Sequence, residues 1–251
     1  MGRAREKYSP KLTAVLGDHR VVNLSHVNDP ARTSLYPGDP EFTVTTVATV
    51  AEDGFHLRLV QQGEHTGTHW GAPSHFNDDQ PGADELDTED LFLPAVKVDV
   101  RSRCADPDYA VTVDDLRAWE AEHGPIPPEC AVVLHTGWED RWGTPEFANL
   151  DADGRLHHPG FGLAAVEWLL ETGKLGRRGA LGIDTFGPDV GVDDTYAVSK
   201  LLYREHRISL EVLANLAELP PTGAWILVGG TVNRGGSGSP ASVYALMPKN
   251  G

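Results

Sequence analysis

The chain has 251 residues, enough for one large core, and its 37 acidic against 21 basic residues give a formal charge of −16, which repels nucleic-acid phosphates and anionic membranes. Hydrophobic residues at 40% and charged residues at 23% are ordinary globular usage and exclude wholesale disorder. Two cysteines without CxxC spacing exclude a disulfide framework and a thiolate metal site, and no run approaches the roughly 20 apolar residues of a membrane span, so a cytoplasmic protein without a membrane partner is expected.

Residues 1–18 are polar and weakly patterned and read as an N-terminal arm, which leaves residues 19–251 as one domain. VVNLSHV (21–27) and FTVTTVATV (42–50) are β-branched runs. The second is followed by Glu52-Asp53-Gly54 and FHLRLVQQ (55–62), which predicts a hairpin with alternating faces. AVKVDV (95–100) is a strand. Thr112 to His123 is a helix, with Thr112 and Asp115 in capping-box spacing, and AVVLHTGW (131–138) reads as a buried strand. A helix over Leu163–Thr172 places Leu163, Val166, Leu169 and Leu170 on one side before Gly173 stops it. Strand ALGID ends at Asp184, TYAVSKLLYRE (195–205) is a helix, and ISLEVLANL (208–216) is too short to assign. AWILVGG (224–230) and ASVYALM (241–247) are strands. Strands interleaved with a few helices define a mixed α/β domain.

The stretch HTGTHWGAPSHF (65–76) holds three of the chain's eleven histidines. Neutral imidazole is a common zinc ligand, and a catalytic site often combines three protein ligands with one position left open. His65 and His69 can form one corner of such a site, with Gly67 reversing the backbone and the hydroxyls of Thr66 or Thr68 orienting the rings. His75 can complete the ligands or act as a base. The glycines, proline and hydroxyl residues predict a loop after a strand.

This stretch resembles the signature HxGTHxDxPxH of the metal-dependent cyclase family that includes bacterial kynurenine formamidase and isatin hydrolase. The resemblance extends through VVNLSHV and YPGDP before it and DELDTEDLFLPAVKVDV, VVLHTGW, HHPGFGLAAVEWL, GIDTFGPD and GGSGSPASVYAL after it. It implies a single-domain swivelling β/β/α fold, a homo-oligomer, bound zinc or manganese, and hydrolysis of a ring amide or N-formyl amide. His65 and His69 match the metal histidines of the family and His75 its acid/base histidine. Gly71 stands where the family carries a metal-binding aspartate. Glu211 matches a ligand glutamate, but the histidine expected twelve residues earlier is Ser199. The resemblance therefore implies at most one divalent ion, held by His65, His69 and Glu211.

Ser242 and His135 occupy positions where relatives often carry arginine, so a substrate carboxylate loses its expected partners. The resemblance then implies a hydrolase, cyclase or lyase acting on a small neutral amide, lactone or polycyclic ring. Trp70, the space at Gly71, Asp184 and Ser199 are its candidate pocket residues. Two alternatives remain open at this point. One is a metal-free cyclase, dehydratase or isomerase of secondary metabolism that uses the three histidines as acid, base and donor. The other is a catalytically silent binding protein.

Overall fold

A computed structural model describes residues 17–249, so the arm expected over residues 1–18 lies outside the described residues apart from Gly17 and Asp18. The strands are β1 (His19–Asn23), β2 (Thr43–Ala48), β3 (Leu57–Gln61), β4 (His69–Gly71), β5 (Phe92–Asp99), β6 (Ala110–Val111), β7 (Ala131–His135), β8 (Gly160–Phe161), β9 (Ala180–Ile183), β10 (Ile208–Glu211), β11 (Ala224–Gly230) and β12 (Gly238–Pro248). The helices are α1 (Val50–Asp53), α2 (Val113–His123), α3 (Pro145–Ala148), α4 (Leu163–Glu171) and α5 (Ala197–Leu202).

Eight strands form one sheet in the order β1-β12-β11-β5-β7-β9-β10-β4. The first part of β12 also pairs with β4, through Gly238 to Gly71 and Pro240 to His69. That pairing closes seven of the strands into a barrel and leaves β1 outside, on the far part of β12. Within it β5, β7, β9 and β10 run parallel, as expected of strands linked by helical crossovers. The α/β class is borne out.

Alternate residues of these strands feed two cores. Leu93, Ala95, Ala131, Val133, Ile208, Leu210, Ile226 and Val243 belong to one, together with Trp70. Val96, Val98, Val132, Leu134, Leu181 and Ile183 belong to the other, which packs under residues of the helices such as Leu116, Val166, Leu169 and Leu202. The chemistry sits on this outer side, where β10 and β4 lie near α5. Among the described residues no helix is long and apolar enough to cross a membrane.

Several elements match the reading from sequence. Helix α2 starts at Val113, and Thr112 accepts from Asp115 N while the Asp115 carboxylate accepts from Thr112 N at 2.8 Å, the expected reciprocal cap. All of β7 is buried. Others differ. Between β2 and β3 lies the single turn α1, and every residue of β3 is exposed, so this hairpin has no half-buried face. In α4 Leu163 is exposed, and Ala165 joins Val166 and Leu169 in the core, because the covering elements set which stripe is buried. The unassigned ISLEVLANL begins as strand β10. The three-histidine stretch is not all loop: His69 to Gly71 form β4, and Pro73 to His75 make a 3₁₀ turn.

Candidate active site

The pairing of β4 with β10 is antiparallel, and its register sets Glu211 opposite His69, Leu210 opposite Trp70 and Ser209 opposite Gly71. Opposed residues of an antiparallel pair share a face, and successive residues alternate. One register therefore sends His69, Glu211, Ser209 and Gly71 to the outer side and Trp70 and Leu210 into the barrel core. Trp70 is fully buried there, which corrects its assignment to the pocket.

The outer side opens into a cavity of about 240 Å³ whose wall includes His65, His69, His75, Glu211 and Ser199. His69 Nδ1 donates to the Gly67 carbonyl at 2.9 Å, which fixes its tautomer and leaves a lone pair on Nε2. Gly67 presents that carbonyl from a left-handed conformation, φ 66°. His69 Nε2 lies 3.1 Å from Glu211 Oε2, an ion pair when His69 is protonated, and this buried nitrogen makes no other hydrogen bond. His65 has the opposite tautomer. Ser237 Oγ donates to Glu64 Oε2 at 2.9 Å and so accepts from His65 Nε2 at 2.9 Å, which leaves the lone pair on Nδ1. The expected orienting role of the threonines is not seen: Thr68 Oγ1 donates to the Val212 carbonyl and Thr66 Oγ1 has no partner. His75 stacks on His65 with ring centroids 3.9 Å apart.

Burial, helped by the charges of His69 and His75, pushes His65 down to about 3, and burial also lowers His75. Both are neutral near pH 7. Burial opposes charge on His69 and Glu211 alike, yet the two hold each other: Glu211 raises His69, and His69 pulls Glu211 down. A buried carboxylate beside this nitrogen needs positive charge, from a proton on His69 Nε2 or from a bound cation. A divalent ion supplies it, and two imidazoles with one carboxylate are a donor set that zinc or manganese accepts. The donor types suit one ion, although the ligand atoms of His65, His69 and Glu211 do not all lie within 4.8 Å of one another.

They do not fit two. A Cβ on Gly71 would come 2.1 Å from Tyr203 Oη, so this position excludes every side chain and not only the aspartate. Gly71 therefore shapes the site without lining its cavity. Burial together with the Glu211 charge keeps the Tyr203 phenol protonated. Its hydroxyl lies 2.6 Å from Ser209 Oγ, which in turn donates to Glu211 Oε1. Ser199, in the place of the family's histidine, is committed to Asp189, which accepts from its backbone N and its Oγ.

Asp184 does not reach this cavity. It is fully buried at the end of β9, accepting from Thr136 N, Thr136 Oγ1 and Glu139 N. Its neighbours His135 and Glu139 complete the only group of three or more metal-capable residues among the described residues whose ligand atoms all lie within 4.8 Å of one another. Donors already point at both Asp184 oxygens, and Glu139 accepts from Leu216 N at 3.1 Å. Metal-binding carboxylates are commonly hydrogen-bonded in this way, and His135 Nδ1 is buried without a hydrogen-bond partner, so this group has the composition and spacing of a possible metal site. His135 and Ser242 also lie outside the cavity wall.

Sequence reasoning missed most of the wall, including two residues with chemistry to offer, Asp39 and His158. Asp39, in the quoted YPGDP, faces the cavity. His158, in HHPGF, is buried in the wall, and its Nδ1 donates to the Pro159 carbonyl at 3.1 Å, leaving Nε2 as an acceptor. Burial pushes it down to about 4. The rest of the wall is largely aromatic and aliphatic, with Tyr36, Phe76, Leu156, Phe186 and Tyr196, and no lysine or arginine lines it.

A closed mixed barrel carrying a histidine corner opposite a glutamate defines the class, and residues 22–190 match the family described as "Putative cyclase". The chain belongs to this Cyclase family. It is similar to the isatin hydrolase of Roseibium aggregatum, 35% identical over 219 residues, 84% of this chain and 82% of that protein. Among solved structures it resembles an isatin hydrolase bound to the product analogue thioisatinate (TM-score 0.86, 32% identity, 95% of this chain and 96% of that one). It also resembles isatin hydrolase A from Ralstonia solanacearum (TM-score 0.85, 33% identity, 98% and 100%). The chain is thus a homologue of isatin hydrolase, an enzyme.

Two outcomes follow. Gly71→Ala loses about 1–3 kcal/mol to overpacking, and Tyr203→Phe in the same chain recovers part of it; strictly additive losses in urea unfolding contradict the contact. Burial also pushes His26 down to about 4, as it does His158. Both sit below the unfolded value of 6.5, so the unfolded chain binds their protons first as pH falls. Their contribution is full above about pH 6.5 and is lost toward pH 4, by up to about 1.4 kcal/mol per pH unit for each histidine. Urea melts at pH 7, 6 and 5 should show this slope reduced in His158→Gln, and an unchanged slope contradicts it.

Proposed function

We propose that the chain is a mononuclear metal-dependent hydrolase that opens the amide of a neutral, flat ring. The observation that carries this reading is the His69–Glu211 pair facing an aromatic wall that holds no cation. Isatin-type lactams are the substrate class that the named relatives suggest.

The wall accepts the ring by apolar contact with Phe76, Phe186 and the tyrosines. His158 Nε2 can accept a ring N–H, because its other nitrogen is held by Pro159. A divalent ion, zinc or manganese, would polarise the carbonyl and lower the pKa of a water. His69, Glu211 and His65 would hold that ion. His75, neutral and stacked on His65, takes the proton of the attacking water and returns it to the ring nitrogen as the C–N bond breaks. The products are a carboxylate and an amine on one opened molecule. A carboxylate substrate meets no lysine or arginine in this wall and faces Asp39, Asp189, Asp193 and Glu211 instead, which disfavours N-formyl amino acids.

Hydrolysis of isatin-type lactams should fall to background on chelation and return with manganese or zinc, and His75→Ala should lose roughly 10²–10⁴-fold in kcat. Turnover indifferent to chelator would sink the metal-dependent reading in favour of metal-free acid/base chemistry.

A homo-oligomer belongs to the same proposal. The β2–β3 hairpin exposes Val47, Phe55, Leu57, Leu59 and Val60, and an isolated two-stranded hairpin is marginal alone. Sedimentation should give a dimer or larger, and Leu57→Glu/Leu59→Glu should dissociate it; a monomeric wild-type chain contradicts the proposal.

A further inference from the structure

The segment Gly236-Ser237-Gly238 enters β12 against the histidine loop, with the Ser237 carbonyl accepting from Ala72 N at 2.8 Å. Behind it stands Glu64, the residue before His65. Glu64 Oε2 accepts from the backbone N of Ser237 and from its Oγ, each at 2.9 Å. An ionised carboxylate accepts hydrogen bonds and donates none. The Ser237 hydroxyl therefore gives its single proton to Glu64 and can only accept from His65 Nε2, 2.9 Å away. Two glycines make the space for this series. A Cβ on Gly236 would lie 2.8 Å from Glu64 Oε1, and one on Gly238 would lie 2.8 Å from His65 Cε1 and press on the Trp70 carbonyl. Neither glycine has a positive φ, so close approach and not backbone conformation calls for them.

Burial and the charges of His69 and His75 push His65 down to about 3, so near pH 7 its ring carries one proton, and the partner of Nε2 decides which nitrogen holds it. With Nε2 given to Ser237, Nδ1 is left as the acceptor. Among the described residues Nδ1 has no hydrogen-bond partner, and it is not among the buried atoms, so it is open to the cavity that His65 lines. The same ring is the surface on which His75 stacks, 3.9 Å between centroids and 23° between planes. Glu64 stays outside the cavity wall and forms no ion pair with a described residue. Its carboxylate is committed to one serine, and through that serine it reaches the histidine pair.

We propose that Glu64 is a positioning residue for the reaction in this cavity, acting through Ser237 to hold His65 in its Nε2–H form with the Nδ1 lone pair presented to the cavity and the ring fixed beneath His75. The inference rests on the reading of the cavity as an active site and requires no particular metal geometry. It gives the Gly236-Ser237-Gly238 segment a function in the chemistry in addition to its place at the barrel seam.

Chelator-treated full-length protein labelled with ¹⁵N-histidine is compared near pH 7 as wild type, Ser237→Ala, Glu64→Gln and Ser237→Thr, with the His65 signals identified by their loss in His65→Asn and folding checked by melting temperature. The ring nitrogen shifts report the tautomer. Wild type and Ser237→Thr are expected to show Nε2 protonated and Nδ1 bare. Ser237→Ala removes the acceptor, and the amide of Glu64→Gln can donate to Ser237 and free its hydroxyl to donate to His65, so both should move toward the Nδ1–H form. Turnover of isatin-type lactams should follow, with a loss of roughly tenfold or more in kcat and little change in KM for Ser237→Ala and Glu64→Gln, and with kcat retained in Ser237→Thr. An Nδ1–H ring in wild type, or an unchanged ring pattern in folded Ser237→Ala and Glu64→Gln, overturns the inference even if turnover is lost. An altered pattern with full kcat overturns it as well. If wild type turns over no lactam, the proposed function falls, and the nitrogen shifts alone decide whether Glu64 positions His65.

Discussion

The antiparallel register between β4 and β10 is the constraint on which the rest of the site depends. Three residue pairs suffice to put His69 against Glu211 and Ser209 against Gly71 on the outer side, while Trp70 and Leu210 go inward. A shift of one residue would bury His69 and Glu211 in the apolar core and expose the tryptophan. The register is held from both sides, because β12 pairs with the other edge of β4 through Gly238 and Pro240. Barrel closure and site assembly are therefore one event, and Ser237, just before β12, follows from it to hold His65.

Gly71 leaves room for a protonated phenol, and Tyr203 and Ser209 form a short hydrogen-bonded series that ends on Glu211. Ser199 is absorbed into the shell of donors around Asp189. These bonds hold Glu211 in one orientation, and Tyr203 fills the space that a side chain at Gly71 would need. The neutral His75 and His158 then share a wall of aromatic and acidic residues without lysine or arginine.

Much of this was legible in the sequence, because local chemistry carries it. The spacing of His65, His69 and His75 pointed to the site, Thr112 and Asp115 announced a helix start that the structure contains, and the apolar run at 131 read as a buried strand. What stayed hidden depends on partners distant in sequence. Nothing local says that Trp70 points away from its histidine neighbours, since alternation along a strand fixes relative faces but not which face is covered. ISLEVLANL was too short to assign by periodicity, and Asp184 at a strand end looked as much like a site residue as like the buried acceptor it is. Asp39 lies in a turn whose motif was visible but whose destination depends on packing against Gly63 and Tyr196.

The most direct test of the central claim is anomalous diffraction from crystals grown with zinc or manganese, recorded on both sides of the metal's absorption edge. One peak per chain, within about 2.0–2.2 Å of His69 Nε2 and a Glu211 oxygen, is the predicted result. Two peaks in the cavity, or a single peak at His135, Glu139 and Asp184 with none between His69 and Glu211, would contradict it.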